Sequence, residues 1–287
     1  QKNDTTAQDN SVIVASPNQL HLEHGTACIS AGVPVLIEKP LADTAVAGQV
    51  IADLAADRGV PVLVGHHRRH SAVIQKAREI ISSGRLGRIL AVNALFMLHK
   101  PDEYFEVEWR SKTGAGPTFI NLIHDIDLLQ YLCGPIRNVQ AKEGHVARGF
   151  EVEDTSAAIL EFEGGALGTV TICDAVSAPW SWEMTSGENP AYPRTDQSCY
   201  LIAGTHGSLS LPDLRVWSHQ GSRSWWSALG TDQFDITERA PVEAQFLHFL
   251  DVIEGRDAPR VSAVDGTRNI AVLEAIKGAA RHSGTQV

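Results

Sequence analysis

The sequence has 287 residues and a mass of 31.0 kDa, a length that predicts about two domains. Hydrophobic residues make up 43% and charged residues 20% of the chain, a composition that excludes an intrinsically disordered or collagen-like protein. The 24 basic and 34 acidic residues give a net charge of −10, so we expect no nucleic-acid partner and no electrostatic docking to an anionic membrane.

The cysteine pattern and the lengths of the apolar runs bear on the cellular compartment of the protein. The four cysteines form no Cys-x-x-Cys pair and sit in apolar surroundings, as buried thiols do: Cys28, Cys133, Cys173 and Cys199. Uninterrupted apolar runs are far shorter than the roughly 20 residues that a membrane helix needs. These features predict a protein of the reducing cytoplasm.

Residues 1–66 alternate between strand and helix patterns. Short buried strands are predicted at 12–16, 34–37 and 61–64, and helices at 18–31 and 44–57. Asp43 or Thr44 can cap the second helix, and Gly59 ends it. This alternation predicts a partial Rossmann domain, a doubly wound sheet of parallel strands.

Residues 67–287 follow a different pattern. Helices are predicted at 71–83, 118–133, 241–254 and 263–282, and strands at 88–98, 155–163, 166–174, 198–203 and 208–211, with further strands near Val216 and Phe234. Gly164-Gly165 suits a hairpin turn. We therefore predict a second, α+β domain with a large, mostly antiparallel, open-faced sheet, whose uncovered face pairs with another subunit.

The segment 176–197 carries three prolines and two tryptophans, and no element is predicted in it. Loops longer than about 12–15 residues are uncommon in compact domains and often form lids or binding loops. An aromatic loop that packs on a neighbouring subunit is the alternative, and the sequence leaves both open.

Polar residues follow the first two predicted strands, at Ser16-Pro17-Asn18 with His21, and at Glu38-Lys39-Pro40. Open α/β sheets bind ligands at the carboxyl ends of their strands. A lysine with a partly buried stem can transfer a proton. The alternative is that Glu38 and Lys39 form an ordinary solvated pair at the end of a strand.

The predicted helix at 118–133 carries a second polar cluster. Asn121, His124 and Asp125 fall within one arc of about 100° on a mostly apolar helix, and Asp127 lies just beside it. A histidine flanked by carboxylates can exchange a proton near neutral pH. The alternative is a core histidine that Asp125 or Asp127 satisfies.

The sequence gives only weak support for a metal site, a serine hydrolase or a phosphate-binding glycine turn at 114–116. His21 with His24, and His66 with His67 and His70, lack the accompanying ligands of a zinc site, so no metal site is predicted. There is no Gly-x-Ser-x-Gly elbow of a serine hydrolase. Gly114-Ala115-Gly116 lacks the third glycine of a dinucleotide fingerprint and follows no strand, so we do not expect it to cradle phosphate.

Taken as a set, several segments resemble one family of nicotinamide-dependent enzymes. They are VIVASPNQLH (12–21), AGVPVLIEKPLA (31–42), SGRLGRILAV (83–92), the Trp-Arg pair at 109–110, GAGPTFINLIHDIDLL (114–129) and GTHGSL (204–209). With these segments the chain, from about residue 11 to residue 280, resembles the glucose–fructose oxidoreductase/inositol dehydrogenase (Gfo/Idh/MocA-type) family. The resemblance implies a Rossmann domain followed by an oligomeric α/β domain.

The resemblance also implies roles for individual residues. The lysine of the Glu-Lys-Pro element corresponds to Lys39, which contacts substrate near the nicotinamide, and the helix histidine corresponds to His124, which serves in proton transfer. The aspartate that many members carry four residues before that histidine is Ile120 here, so Asn121, Asp125 or Asp127 is expected to take its place. The implied cofactor-binding residues are Ser16, Pro17, Asn18, His21, Glu38, Lys39, Pro40, Trp109 and Arg110, with Arg68 as a weaker correspondence.

The expected function is transfer of a hydride between NAD or NADP and a hydroxyl or carbonyl of a small sugar-, cyclitol- or diol-like substrate. We expect a homodimer or homotetramer. An NAD-dependent glycosidase is one alternative. A cofactor-free binding or assembly module is another, since the family's glycine-rich turn does not precede Val12. We expect that turn to lie in a segment outside this sequence.

Overall fold

The computed structural model describes residues 11–237 and 240–281. The strands are β1 (Val12–Val14), β2 (Val35–Ile37), β3 (Val62–Val64), β4 (Ile89–Met97), β5 (Ile136–Gly144), β6 (Thr155–Phe162), β7 (Leu167–Cys173), β8 (Tyr200–Gly204), β9 (Gly207–Leu211), β10 (Arg215–His219) and β11 (Leu229–Gln233). The α-helices are α1 (His21–Ser30), α2 (Ala45–Arg58), α3 (Ala72–Ser82), α4 (Gly116–Ile120), α5 (Leu122–Cys133), α6 (Trp182–Thr185), α7 (Pro241–Ile253) and α8 (Ala263–Ala280).

The chain forms two compact units. The first runs to Arg69 and takes in Val242–Ala271, and the second comprises His70–Pro241 and the chain from Val272. The sequence-based division at residues 66 and 67 assigned the whole C-terminal part to the second domain. By packing, residues 242–271 instead belong with the first unit, because Phe249 and Ile270 join its apolar core.

The first unit is built on a parallel sheet. Its strands lie in the order β1-β2-β3, with Val12 opposite Val35 and Val35 opposite Val62. Every residue of β2 and β3 is buried, as expected for strands covered on both faces. Thr44 caps α2 by accepting a hydrogen bond from the Ala47 N–H, and α2 ends before Gly59, whose φ of 61° is left-handed. The predicted cap and stop are confirmed.

The second unit is built on a sheet of the order β11-β10-β9-β8-β4-β7-β6-β5. Only the β4–β7 pair is parallel among these strands, and the other neighbours are antiparallel. The predicted fold class, a Rossmann-type parallel sheet followed by a large, mostly antiparallel sheet, is thereby confirmed. In the described part of the chain, no helix is both long and apolar enough to span a membrane.

One face of the large sheet is open. Along β6 and β7 buried residues alternate with exposed ones, and the buried set packs with apolar residues of α3 and α5. A row across the opposite face joins Ile159, Thr169, Asn93 and Leu201 on four neighbouring strands. Ile159 is 49% and Leu201 52% exposed. The predicted uncovered face is therefore present in the second unit.

Three elements differ from the predictions. Strand β5 was not predicted, because its sequence alternates only weakly between apolar and polar residues. The helix predicted at 118–133 is two helices, which meet at Asn121. The segment predicted to lack structure contains α6, and its Trp182 is buried and stacks on Tyr200 with ring centroids 5.6 Å apart. Trp182 therefore belongs to the core and is no part of a mobile lid.

Candidate active site

The loop that follows β1 is held to the loop that follows β2 by a buried histidine. Nε2 of His21 lies 2.8 Å from the carbonyl oxygen of Ser16, and its Nδ1 lies 2.7 Å from that of Pro40. The Ser16 hydroxyl lies 3.0 Å from Nδ1 of His24. His21 is only 1% exposed, and through these contacts it fixes the positions of the two loops relative to each other. The sequence predicted cofactor contact for His21, and that role stays a prediction.

Glu38 and Lys39 are half-buried at the carboxyl end of β2. The Lys39 N–H donates to Oε2 of Glu38 over 3.2 Å, and the Gly65 N–H donates to the Ile37 carbonyl over 2.7 Å. A Cβ on Gly65 would lie 2.8 Å from Oε2 of Glu38, so only glycine allows this approach. The loops that follow β2 and β3 therefore pack directly against each other.

His67 is a member of this cluster that the sequence analysis did not connect with Lys39. Burial lowers the pKa of His67 to about 4, and the positive charges of Arg68, His66 and Lys39 act in the same direction. His67 is therefore a neutral imidazole near pH 7, beside the Lys39 ammonium. The run of histidines and arginines after β3 was a visible signal, but only the fold shows that it faces the end of β2.

The second unit holds the other candidate residues. His124, on α5, is 7% exposed, and Asp125 and Asp127 are each 1% exposed. The Tyr200 hydroxyl donates a short hydrogen bond to Oδ1 of Asp125. Asp125 is thus a core partner of Tyr200. For Asn121 and Asp127, the expected replacement of the family's aspartate stays a prediction.

Asn121 has a partner that the sequence analysis missed. Nζ of Lys100, just beyond the end of β4, donates to Oδ1 of Asn121 over 2.7 Å and lies 3.1 Å from Oδ2 of Asp174. Arg148 binds the other oxygen of the same aspartate. The only sign of Lys100 in the sequence was its position just after a long predicted strand. That position alone did not identify Lys100 as a site residue.

The Trp-Arg pair lies on a short 3₁₀ helix, Glu108–Ser111. Trp109 is 56% exposed. Arg110 donates from Nη1 to the Tyr104 carbonyl over 2.8 Å, and its guanidinium lies 4.2 Å from the centroid of the Tyr104 ring. Lys100 lies 4.8 Å from the same centroid. Tyr104 therefore joins Arg110 to the Lys100–Asn121 group.

The glycine turn before α4 packs against Glu153. Gly116 has a φ of 87°, and a Cβ there would lie 2.7 Å from the Glu153 carboxylate. Oε1 of Glu153 accepts the Thr118 N–H over 2.9 Å, and its Oε2 lies 2.7 Å from Nζ of Lys277. Glu153 thereby satisfies a backbone donor at the start of α4.

The first unit offers a hydroxyl, a carboxamide, a carboxylate and an ammonium at the carboxyl ends of β1 and β2, from Ser16, Asn18, Glu38 and Lys39. These groups fit the ribose and nicotinamide half of a dinucleotide by their chemistry. Between residues 11 and 281, apart from the gap at 238–239, no Gly-x-Gly-x-x-Gly turn follows a strand to hold a pyrophosphate. The same residues contain no group of three or more His, Cys, Asp or Glu side chains placed to hold a metal ion.

Comparison with known protein families matches both units. Residues 3–66 match the oxidoreductase family's NAD-binding Rossmann fold, and residues 74–210 match the GFO/IDH/MocA C-terminal domain. The chain is 26% identical over 279 residues to 1,5-anhydro-D-fructose reductase of Ensifer adhaerens, covering 96% of this chain and 79% of the reductase.

Two further relatives show the same likeness over different lengths. Scyllo-inositol 2-dehydrogenase (NADP(+)) of Bacillus subtilis is 36% identical over 132 residues, which cover 45% of this chain and 36% of that enzyme. An oxidoreductase of Agrobacterium radiobacter, crystallised with NAD⁺, L-tartaric acid and magnesium, superposes with a TM-score of 0.77 at 18% identity, covering 94% of this chain and 77% of that one. The expected resemblance is confirmed: the chain belongs to the GFO/IDH/MocA family of NAD(P)-dependent oxidoreductases.

Proposed function

We propose that this protein transfers a hydride between NAD or NADP and a hydroxyl or carbonyl group of a small sugar- or cyclitol-like substrate. The observation that carries the proposal is the polar rim at the carboxyl ends of β1 and β2, within the residues that match the NAD-binding Rossmann fold. Relatives whose names state sugar and inositol substrates support the substrate class.

The cofactor, when bound, would donate or accept the hydride. In the first unit, Ser16, Asn18 and Glu38 would hold its ribose and carboxamide, and His21 and Pro40 would keep their loops in place. The Lys39 ammonium, next to the neutral His67, would hold the oxygen of the reacting hydroxyl and take part in moving its proton.

In the second unit, His124 is the group proposed to take up or return the substrate proton. It lies one helical turn after Asn121, and its backbone N–H donates to the Asn121 carbonyl over 3.1 Å. Asp127, three residues further along α5, is proposed to hold the imidazole in place. Trp109 and Arg110 are proposed to cover the nicotinamide, with the guanidinium held over Tyr104.

We further propose that the open face of the large sheet mediates assembly into a homodimer or homotetramer. The row of Ile159, Thr169, Asn93 and Leu201 presents apolar and small polar groups on the uncovered face of the sheet, as subunit interfaces do. The proposed compartment is the cytoplasm. In support, the structure describes all four cysteines and pairs none of them in a disulfide.

Turnover measurements test the proposed function. The purified protein is assayed by nicotinamide absorbance with 1,5-anhydro-D-fructose and NADH or NADPH, and with scyllo-inositol and NAD⁺ or NADP⁺. Consumption of one nicotinamide per substrate converted is expected for a dehydrogenase. Conversion of a glycoside with no net change in the nicotinamide would indicate the glycosidase alternative, and the absence of turnover with every pair would count against the proposal.

A further inference from the structure

Lys100 is a buried lysine to which the proposed mechanism assigns no role. Only 8% of its surface is exposed. Its ammonium donates to Oδ1 of Asn121 over 2.7 Å, lies 3.1 Å from Oδ2 of Asp174, and lies 4.8 Å from the centroid of the Tyr104 ring. Since a buried charge is costly unless paired, the aspartate and the aromatic face account for its burial but leave the contact with Asn121 unexplained.

The position of the Lys100 ammonium is fixed from several sides. The backbone N–H of Lys100 donates to the Asp174 carbonyl over 2.8 Å. Nη1 of Arg148 binds Oδ1 of Asp174, and Nη2 of Arg148 donates to the carbonyls of Lys100 and Asp174 over 3.0 and 2.7 Å. Two cations thus share one carboxylate, and Arg148 is tied to the backbone of both partners. Such a group holds its members in one arrangement.

The contact with Lys100 determines which way the Asn121 amide faces. An ammonium can only donate hydrogen bonds, so the amide oxygen must face Lys100 and the NH₂ group must point to the other side of the amide. Asn121 lies where α4 ends and α5 begins, one turn before His124. A carboxamide cannot take up a proton near neutral pH, and the group that Asn121 turns away from Lys100 is a hydrogen-bond donor.

We propose that Lys100 is a positioning residue that presents the Asn121 NH₂ group as a hydrogen-bond donor to the reacting oxygen of the substrate. This inference rests on the proposed function and refines it. Asn121 stabilises negative charge that develops on that oxygen, and His124 handles the proton. A fixed donor aimed at such a charge acts through preorganisation, because it needs no reorientation during the reaction.

The arrangement predicts a dependence on alkaline pH. Burial lowers the pKa of Lys100, and the charge of Arg148 lowers it further, whereas Asp174, by charge and hydrogen bond, and the charge of Glu183 oppose the shift. These three groups and the face of the Tyr104 ring surround the ammonium in the described part of the second unit. When Lys100 loses its proton, its nitrogen can accept from the Asn121 NH₂, and the amide is free to turn round.

Nuclear magnetic resonance of the asparagine side chains tests this coupling without any substrate. In protein labelled with heavy nitrogen at asparagine, the Asn121 side-chain resonance should move with pH as Lys100 titrates. The same movement is expected in Lys76→Met, a control that removes a lysine on α3 whose side chain is 34% exposed and pairs with Glu79. It should vanish in Lys100→Met. A resonance that does not respond to alkaline pH in the parent protein would overturn the proposal.

Lys100→Arg covers the case in which Lys100→Met does not fold. A guanidinium keeps the donor and does not titrate in the accessible range. The Asn121 resonance should then stay constant at alkaline pH. Movement of the resonance as in the parent protein would show that another group titrates, and the proposal would fail.

A double-mutant cycle adds the kinetic readout, with 1,5-anhydro-D-fructose and NADPH as the probe pair. Lys100→Met should lower kcat by roughly 10–100-fold, with a smaller change in KM, because misplacing a group at the reacting atoms costs about that factor. Asn121→Leu should cause a similar loss, and the double variant should lose no more than Asn121→Leu alone. Additive losses would contradict the proposal. A parent protein without turnover on any of the substrate and nicotinamide pairs named above would count against the proposed function, while the resonance experiment would still decide the coupling.

Discussion

At the scale of single residues, Lys39 is the group for which the proposed function makes the sharpest prediction. It is half-buried at the end of β2, and its charge helps to lower the pKa of His67. The Lys39→Ala variant should lower kcat by roughly 10²–10⁴-fold, because a proton-transfer group is lost. Thermal unfolding should change little, since the side chain is not part of the apolar core. A large fall in Tm with normal turnover would instead support the alternative of a solvated Glu38–Lys39 pair.

Substitution of His124 distinguishes a catalytic role of this residue from a packing role. Glutamine is close to histidine in size and keeps a hydrogen-bonding group, but it cannot exchange a proton near neutral pH. If His124 takes up the substrate proton, His124→Gln should keep the Tm of the parent protein and lose most of its turnover. Rate and Tm are measured on the same preparation. A stable and fully active variant would remove His124 from the catalytic residues and leave it as a core histidine.

At the scale of elements, the sequence predicted most of the helices and strands but not the break at Asn121. The pattern of residues 118–133 is continuous in its apolar positions, so periodicity alone gives one helix. The break is explained by two tertiary contacts. Glu153 accepts the Thr118 N–H at the start of α4, and Lys100 donates to the Asn121 side chain at the junction. Both partners are distant in sequence, which is why local patterns could not reveal them.

The contact of Gly116 with Glu153 gives a prediction with an internal control. Gly114 and Gly116 have φ values of 96° and 87°, so alanine at either position is strained by about 1–2 kcal/mol. A Cβ on Gly114 meets nothing within 4 Å, whereas one on Gly116 would lie 2.7 Å from the Glu153 carboxylate. Gly116→Ala should therefore lower the free energy of unfolding more than Gly114→Ala does. Equal losses in chemical denaturation would show that the contact does not position α4.

At the scale of the whole molecule, composition and the alternation of elements sufficed to predict two domains of different sheet type. They did not predict that residues 242–271 pack with the first unit, because the apolar positions of α7 are the same whichever core they join. The candidate residues were predicted in part in each unit. The motifs pointed to Lys39 in the first unit and to His124 in the second. The fold adds His67 near Lys39 in the first unit, and Lys100 as a partner of Asn121 in the second.

Assembly through the open face is a prediction at this scale. Leu201 is 52% exposed in the row across that face, so Leu201→Lys would place a charge in the proposed interface. Light scattering should show a dimer or tetramer for the parent protein and a smaller species for the variant. Val46→Lys, at a 77% exposed position on α2, should leave the mass unchanged. A parent protein that is monomeric at micromolar concentration would contradict the proposal.

Titration of the purified protein with NADH and NADPH tests most directly whether this chain works with a nicotinamide dinucleotide. Six tryptophans, including the exposed Trp109, provide the fluorescence signal. We expect saturable quenching by at least one of the two nucleotides. The same quenching should weaken in Trp109→Phe if Trp109 covers the nicotinamide. No saturable change with either nucleotide would contradict the account and favour a cofactor-free binding or assembly module.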